Sequence, residues 1–154
     1  MAAHNDNKAP DIVVRGSADS FKQEITARKH RLIADEPVSA GGDDAGPDPY
    51  DYLLASLAVC TSMTVGFYAR RHQFPLENIT VSLWHSRIYA KDCEECETKK
   101  GMLDRIDVEL ELTGSLSEAQ RAKLMEIAAK CPVHRTLTSE INIRLRAASK
   151  PSAS

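Results

Sequence analysis

The segment DYLLASLAVCTSMTVGFYARR, residues 51–71, is the feature that most restricts how this chain can fold. It is long and apolar, and a helix start signal precedes it: Asp48 can cap the N-terminus, Pro49 can take the first helical position, and Asp51 falls three residues after the cap. The pattern therefore predicts one long helix. At 100° per residue, the stripe of this helix that is predicted to be buried contains Leu53, Leu57, Cys60, Thr64 and Phe67.

Alternating apolar and polar residues on both sides of this helix predict strands. A change of parity within residues 20–37 indicates a hairpin that turns near ARKHR, and Ser117 with Gln120 forms a capping box for a second helix. In chain order the predicted elements are strand 11–18, hairpin 20–37, loop 38–49, the long helix, strands 77–90 and 101–115, helix 116–130, a short helix from 132, and strand 141–147. This order predicts an α+β fold with a mostly antiparallel sheet, in one domain over residues 11–147, between a flexible N-terminus (1–10) and a flexible tail (148–154).

Length, charge and patterning exclude several classes of protein. With 154 residues and a net charge of −2, the chain can build a core without metals or disulfides, and it has no basic stripe for a nucleic acid. The N-terminus lacks the apolar run of a secretory signal, and hydroxyl residues interrupt the long apolar segment, so we expect no membrane span and a cytoplasmic location. In that reducing compartment the four cysteines are expected to be free thiols, catalytic groups or metal ligands.

Two of the cysteines admit both a structural and a chemical interpretation. Cys60 on an apolar helix is typical of a small buried residue, but its small and polar neighbours leave room for a reactive thiol. Cys131 precedes Pro132, which should end the second helix and start a short third one with Cys131 as its cap. A sulfur at that position meets free backbone N–H groups and the positive end of the helix dipole, which stabilise a thiolate. The alternative is a buried cysteine that packs on the second helix.

Two motifs taken together, GPDPYDYLLASLAVCTSMTV and CPVHRTL, resemble those of the OsmC/Ohr (osmotically inducible protein C / organic hydroperoxide resistance) family. The likeness extends over residues 11–147. It implies an OsmC-like intertwined homodimer, in which curved, mostly antiparallel sheets wrap around two long central helices. It also implies thiol-dependent reduction of organic hydroperoxides by a dithiol reductant, and we expect neither a bound cofactor nor a metal.

The same resemblance assigns roles to individual residues. Cys60 would be the peroxidatic thiol, and Cys131 would resolve its sulfenate. The family's arginine from the N-terminal strands is matched best by Arg15, with Arg28 as the second candidate. Asp51 is the nearest carboxylate at the start of the long helix, because Tyr50 stands where the family has a glutamate. That departure leaves a second hypothesis open, a dimer of this family that senses redox state or binds a metal or ligand without turnover.

The segment KDCEECETKK places Cys93 and Cys96 in a loop between two predicted strands. This CxxC spacing is typical of redox dithiols and of zinc knuckles, but zinc requires four ligands and the acidic neighbours disfavour thiolate formation. We therefore predict a local disulfide or an exposed dithiol here, with a metal site as the alternative.

Overall fold

A computed structural model describes residues 8–149 of the chain. It is a mixed α+β structure with antiparallel sheets, as the sequence predicts. Contacts divide the chain into two compact units, one that runs to Ala55 and one that begins at Ser56. A single domain over residues 11–147 therefore stays a prediction, and the flexibility predicted for the two ends falls largely on residues 1–7 and 150–154, which lie outside the described residues.

The first unit contains a three-stranded antiparallel sheet in the order β1-β2-β3. Its strands are β1 (Val13–Gly16), β2 (Gln23–Ala27) and β3 (His30–Ala34). The hairpin predicted within residues 20–37 is confirmed, since β2 pairs with β3 from Gln23↔Ala34 to Ala27↔His30. Arg28 takes a positive φ of 56° in its tight turn.

Asp35 organises the loop that follows β3. Its side chain is 3% exposed, and its Oδ1 accepts a hydrogen bond from the Glu36 backbone N–H at 2.8 Å. Its Oδ2 accepts from the N–H groups of Asp43 and Ala45 at 3.2 and 3.1 Å. The bond from Ala45 is the largest cause that holds the pKa of Asp35 below its ordinary value, and burial acts in the opposite direction. One carboxylate thus fixes the Gly-rich segment that leads into the long helix.

Helix α1 spans Pro49–Arg71 and begins where the sequence predicts. The Asp51 N–H donates to Asp48 Oδ1 at 2.8 Å, and the Asp48 N–H donates to Asp51 Oδ2 at 3.0 Å. This reciprocal pair satisfies two backbone donors at the helix start, and it gives the Asp51 carboxylate a structural role.

The buried line of α1 differs from the predicted stripe. The buried residues are spaced by four along the helix and comprise Leu57, Thr61, Val65 and Ala69. Phe67 is 55% exposed and Leu53 is 36% exposed, so their predicted burial is wrong for this chain. The cause is that apolar side chains surround most of the helix, and periodicity alone cannot then select the face that packs inward.

By length and composition alone, α1 is also apolar enough to cross a membrane, with a mean hydropathy of 1.5. The hydroxyl residues that interrupt the segment do not exclude this, because a hydroxyl can bond within the helix, as Thr61 Oγ1 does to the Leu57 carbonyl at 2.8 Å. The finding is weak evidence for a membrane span, because the core helices of soluble proteins pass the same test.

The second unit combines the rest of α1 with a long hairpin and two helices. Its further elements are β4 (Leu76–Tyr89), β5 (Met102–Gly114), α2 (Glu118–Ala128) and α3 (Pro132–Leu137). The core is formed by Val65, Ala69, Leu112 and Leu124. The predicted capping box is present, since Ser117 accepts from the N–H of Gln120 and its own N–H donates to the Gln120 side chain.

The predicted closing strand over residues 141–147 is wrong for the described chain. The segment has the alternation of a strand but no assigned secondary structure, and Ile143 and Leu145 are 85% and 99% exposed. A strand exists only where a neighbouring strand supplies hydrogen-bond partners, and within residues 8–149 no strand pairs with this segment. The pattern therefore shows a capacity for pairing that this single chain does not satisfy.

Candidate functional site

Cys131 lies at the N-terminus of α3, at the position predicted from Pro132. It is the cap residue, and its Sγ accepts a hydrogen bond from the His134 backbone N–H at 3.2 Å. The residue is fully buried and its thiol is free. The backbone geometry follows from the proline, which takes the first helical position and leaves Cys131 in an extended conformation (φ −65°, ψ 145°).

Thr61 of α1 is the second polar partner of this sulfur. Its Oγ1 lies 3.7 Å from Cys131 Sγ and is 2.8 Å from the Leu57 carbonyl oxygen. When the threonine hydroxyl donates to Leu57, its lone pairs are free to accept the S–H of Cys131. Cys131 can thus donate to one partner and accept from the other, so this buried thiol is satisfied.

Cys60 is a half-buried free thiol in the same turn of α1. It precedes Thr61 directly, and neighbouring helical positions differ by about 100° around the axis. Cys131 therefore contacts α1 one residue from Cys60. The two predicted thiols therefore lie near the same turn of α1, and the contact that Cys131 makes there is with Thr61.

A small apolar cavity of about 150 Å³ adjoins this place. On the α1 side it is lined by Leu57 and Thr61 rather than by Cys60. The other lining residues come from β5, from the second helix and the turn after it, and from α3, and they are Val108, Leu110, Met125, Ala128, Ala129 and His134. Apolar cavities of about 150 Å³ admit groups as large as a benzene ring. The cavity can hold a compact apolar group beside Thr61 and His134.

Arg15 and Asp51, the charged residues of the predicted site, belong to the first compact unit, whereas the two thiols belong to the second. Arg15 lies in β1 opposite Glu24 of β2. It lines an open cavity of about 390 Å³ together with Ser17, Ser20 and Lys22. Asp51 caps α1, as described above. Their relation to Cys60 is therefore a prediction from the family pattern.

Cys93 and Cys96 form a disulfide, which is the first of the two predicted states of this loop. Within residues 8–149 no group of three or more histidine, cysteine or acidic residues is arranged to hold a metal ion. In the oxidised form the two sulfurs are bonded to each other rather than available as thiolate ligands.

Sequence reasoning missed the contact between Thr61 and Cys131. The polar residues near Cys60 were a signal for hydrogen bonding to a sulfur, but Thr61 bonds the sulfur of the distant cysteine instead. It also missed Asp35, whose signal is an aspartate just before a loop rich in glycine. Glycine-rich loops expose backbone N–H groups, and a buried carboxylate can accept hydrogen bonds from several of them.

A family model described as OsmC-like protein matches residues 41–146 of the chain. Among solved structures, an OsmC-like protein from Mycoplasma pneumoniae is similar with a TM-score of 0.65 and 22% identity, over 85% of this chain and 88% of that one. An organic hydroperoxide resistance protein OsmC from Legionella pneumophila has a TM-score of 0.59 and 20% identity, over 82% and 87%. The organic hydroperoxide resistance protein OhrB of Bacillus subtilis has a TM-score of 0.56 and 15% identity, over 82% and 88%.

At these identities the structures establish a common fold and no more. No curated protein sequence matches the chain significantly.

Proposed function

The chain belongs to the OsmC-like protein family, and on that premise we propose that it is a thiol-dependent peroxidase that reduces organic hydroperoxides through Cys60 and Cys131. The observation that carries the proposal is the position of Cys131, a buried free thiol that contacts α1 one residue from the free thiol of Cys60. The names of the similar Legionella and Bacillus proteins, both organic hydroperoxide resistance proteins, support the same substrate class.

The reaction requires a thiolate at Cys60. The thiolate attacks the terminal oxygen of the hydroperoxide, the O–O bond breaks, and the alkoxide leaves and takes a proton to become an alcohol. Cys60 is then a sulfenic acid. Cys131 attacks its sulfur, a Cys60–Cys131 disulfide forms, and the displaced hydroxide is released as water. An external dithiol returns two electrons and two protons, so that one hydroperoxide and one dithiol give an alcohol, water and a disulfide.

The positions of Thr61 and of the neighbouring cavity are compatible with these reaction steps. Because Cys131 Sγ contacts the residue after Cys60, a short displacement at the start of α3 would move it from Thr61 to Cys60. The apolar cavity would accept the alkyl or aryl group of the substrate, which favours organic hydroperoxides over hydrogen peroxide. A cation is needed to stabilise the thiolate, and in this proposal Arg15 provides it while Asp51 positions that arginine.

The deciding experiment is turnover of cumene hydroperoxide with a dithiol reductant. We expect Cys60→Ser to lose turnover completely, and Cys131→Ser to stop at a sulfenic or overoxidised Cys60. One equivalent of hydroperoxide should give a Cys60–Cys131 cross-link in the wild type by peptide mapping. A wild type that is oxidised to sulfinic acid at Cys60 while Cys131 stays reduced would exclude the resolving role.

The charged residues are tested separately by the rate of Cys60 alkylation at neutral pH. Arg15→Ala should slow alkylation, and Arg28→Ala, in the turn of the neighbouring hairpin, tests the second candidate. An unchanged rate in Arg15→Ala together with a slow rate in Arg28→Ala would transfer the role to Arg28. A wild type that forms a single oxidised product without turnover would instead favour the redox-sensing alternative.

The proposal includes a homodimer, as the family resemblance implies. Along α1, Val59, Met63 and Phe67 are 50%, 69% and 55% exposed, and their spacing of four places them on one face. The segment 141–147, which is not part of a strand, exposes further apolar side chains. Apolar surface of this extent marks an interaction site, and a second copy of the chain is the partner that the family pattern supplies. In this assembly α1 is a core helix, which accords with a protein in the cytoplasm.

Sedimentation equilibrium tests the dimer. Met63→Lys should shift the mass towards the monomer, whereas Val38→Lys, at an apolar residue that is 72% exposed outside α1, should leave it unchanged. A wild type that sediments as a monomer at micromolar concentration would contradict the proposed assembly.

A further inference from the structure

Two interactions close the loop between β4 and β5, a backbone hydrogen bond and a disulfide. At its base the Ala90 N–H donates to the Gly101 carbonyl oxygen at 2.8 Å, and further out the Cys93–Cys96 disulfide closes a turn of four residues. A short 3₁₀ helix, Ala90–Asp92, leads into the disulfide. The hydrogen bond and the 3₁₀ helix therefore fix the position of the disulfide at the end of the long hairpin.

The two sulfur-bearing residues are not equivalent. Cys93 is only 7% exposed, whereas Cys96 is half-buried and more accessible from solvent. The Lys99 ammonium group donates hydrogen bonds to the carbonyl oxygens of Cys93 and Glu94, at 3.0 and 3.3 Å. It thus brings a positive charge to the Cys93 end of the bridge. A thiolate that attacks from solvent reaches Cys96 more easily, and the charge near Cys93 favours Cys93 as the leaving thiolate.

A cavity of about 200 Å³ lies beside the bridge and is lined by both cysteines. The charged residues that line it are four carboxylates and one guanidinium, from Asp92, Glu95, Asp104, Asp107 and Arg105.

The positive groups here are already engaged with acidic partners. Arg105 forms an ion pair with Asp107 at 3.1 Å, and Asp104 has contacts with His85 at 2.9 Å and Arg87 at 3.8 Å from β4. The cavity is thus acidic on balance, and it should disfavour an anionic thiol relative to a neutral or cationic one.

We propose that Cys93–Cys96 is a second redox site, at which the disulfide exchanges with neutral or cationic thiols and dithiols. The thiolate of the incoming dithiol attacks Cys96 Sγ, the Cys93–Cys96 bond breaks, and Cys93 leaves as a thiolate that takes up a proton. The second thiol of the donor then attacks the mixed disulfide and releases Cys96. In total two electrons and two protons pass from the dithiol to the loop, and the donor leaves as a disulfide. The site goes beyond the proposed peroxidase function and uses neither of its two thiols.

Reduction of the oxidised wild-type protein by dithiothreitol, followed by acid quenching, alkylation and peptide mapping, tests the exchange itself. Each cysteine pair is followed by its own peptides, so this result is independent of hydroperoxide turnover. We expect Cys93 and Cys96 to become alkylated together within the time course. A bridge that stays intact in excess dithiol under native conditions, and is reduced only after unfolding, would overturn the proposal.

The direction of attack is tested with two matched single variants, in which one loop sulfur remains. Cystamine, the disulfide of cysteamine, should form a mixed disulfide several-fold faster with Cys96 in Cys93→Ser than with Cys93 in Cys96→Ser, when the two rates are compared at equal thiolate fractions. Equal rates, or the reverse order, would contradict the assignment of Cys96 as the attacked sulfur. Lys99→Gln should slow reduction of the intact bridge in the wild-type background, and Lys99→Arg should restore it because the charge returns.

The charge preference is tested with cysteamine and 2-mercaptoethanesulfonate, compared at equal thiolate concentration. We expect cysteamine to reduce the bridge about threefold faster or more at low salt, and the difference to shrink at 1 M salt, where exposed charges are screened. Glu95→Gln should reduce the preference. A preference for the anionic thiol, or one that salt does not change, would exclude the acidic cavity as the determinant of thiol selection.

Discussion

Thr61→Val is the most informative single substitution in the proposed site. It removes the hydroxyl that contacts both Cys131 Sγ and the Leu57 carbonyl oxygen, and it keeps the size and β-branched shape of a side chain that is 4% exposed. The Leu57 carbonyl retains its backbone helix bond, and Cys131 Sγ retains the His134 N–H. Only the S–H of Cys131, which is a weak donor, loses its acceptor.

The structure separates the effect of this change on stability from its effect on the reaction. Since the one donor that loses its acceptor is a weak S–H, the free energy of unfolding should fall by less than about 1 kcal/mol. Thr61→Ala differs because it also enlarges the neighbouring cavity by about 30 Å³, which adds roughly 0.7 kcal/mol to the loss of the methyl group. Comparison of the two variants distinguishes a packing effect from the loss of the hydroxyl.

Thr61→Val should lower the rate of the resolving step more than it lowers the stability of the fold. In the proposed reaction the Thr61 hydroxyl can turn from Leu57 to a thiolate at Cys131. A hydrogen bond to a charged group contributes about 1.5–3 kcal/mol, and the neutral bond given up contributes about 1 kcal/mol. The net difference of about 0.5–2 kcal/mol corresponds to a rate of Cys60–Cys131 disulfide formation that is roughly 2- to 30-fold lower in Thr61→Val.

The assay is rapid quenching after one equivalent of hydroperoxide, with alkylation of the remaining thiols and quantification of the cross-linked peptide. Thr64→Val, at a half-buried threonine in the same helix that lies outside the buried line, is the matched control. If Thr61→Val forms the disulfide at the wild-type rate with its fold intact, the contact between Thr61 and Cys131 has no part in resolution.

Three further outcomes are expected. Cys93→Ser/Cys96→Ser should keep peroxidase turnover, since the proposed reaction uses the other two thiols; loss of turnover in a folded double variant would place the loop in the catalytic cycle. Arg121→Met should lower the free energy of unfolding by about 1–3 kcal/mol in urea titrations, because the Arg121 guanidinium donates to the Leu112 and Gly114 carbonyl oxygens at 2.7 and 3.3 Å. Asp35→Asn should be less stable than the wild type at pH 7, because the folded-state pKa of Asp35 is lowered, mainly by the Ala45 N–H. That difference should shrink as the pH falls below the ordinary aspartate pKa of about 3.9 and through the lower folded-state pKa, and equal pH dependence of the two proteins would refute the assignment.

The start signals of the helices could be predicted from sequence because they are local. Ser117 and Gln120 satisfy each other's backbone donors, and Asp48 and Asp51 do the same three residues apart. Cys131 became a cap because the next residue is a proline, whose ring restricts the conformation of the residue before it. Each of these features depends on a few neighbouring residues, and each was found at its predicted position.

Features that depend on distant partners could not be predicted in the same way. The alternation of residues 141–147 favours a strand, but pairing depends on an available edge, and no local pattern supplies that information. The closure of the Cys93–Cys96 bridge is an intermediate case. The spacing allowed it, but the accessibility of each sulfur and the position of Lys99 depend on how the loop folds against β5.

The orientation of α1 shows why the buried face of this helix could not be predicted from its sequence alone. Its sequence is apolar on several faces, so a stripe through Leu53 and Cys60 and the observed line through Leu57 and Thr61 fit the periodicity nearly equally well. The choice between them is made by the long hairpin and α2, which bury Val65 and Ala69 against Leu112 and Leu124. This rotation puts Thr61 inward towards Cys131 and leaves Cys60 half-buried. In the proposed reaction Cys60 must be accessible to a substrate from solvent, whereas Cys131 reacts only with the oxidised Cys60 and can be buried. The observed rotation of α1, which leaves Cys60 half-buried, is more compatible with these proposed roles than the predicted stripe is.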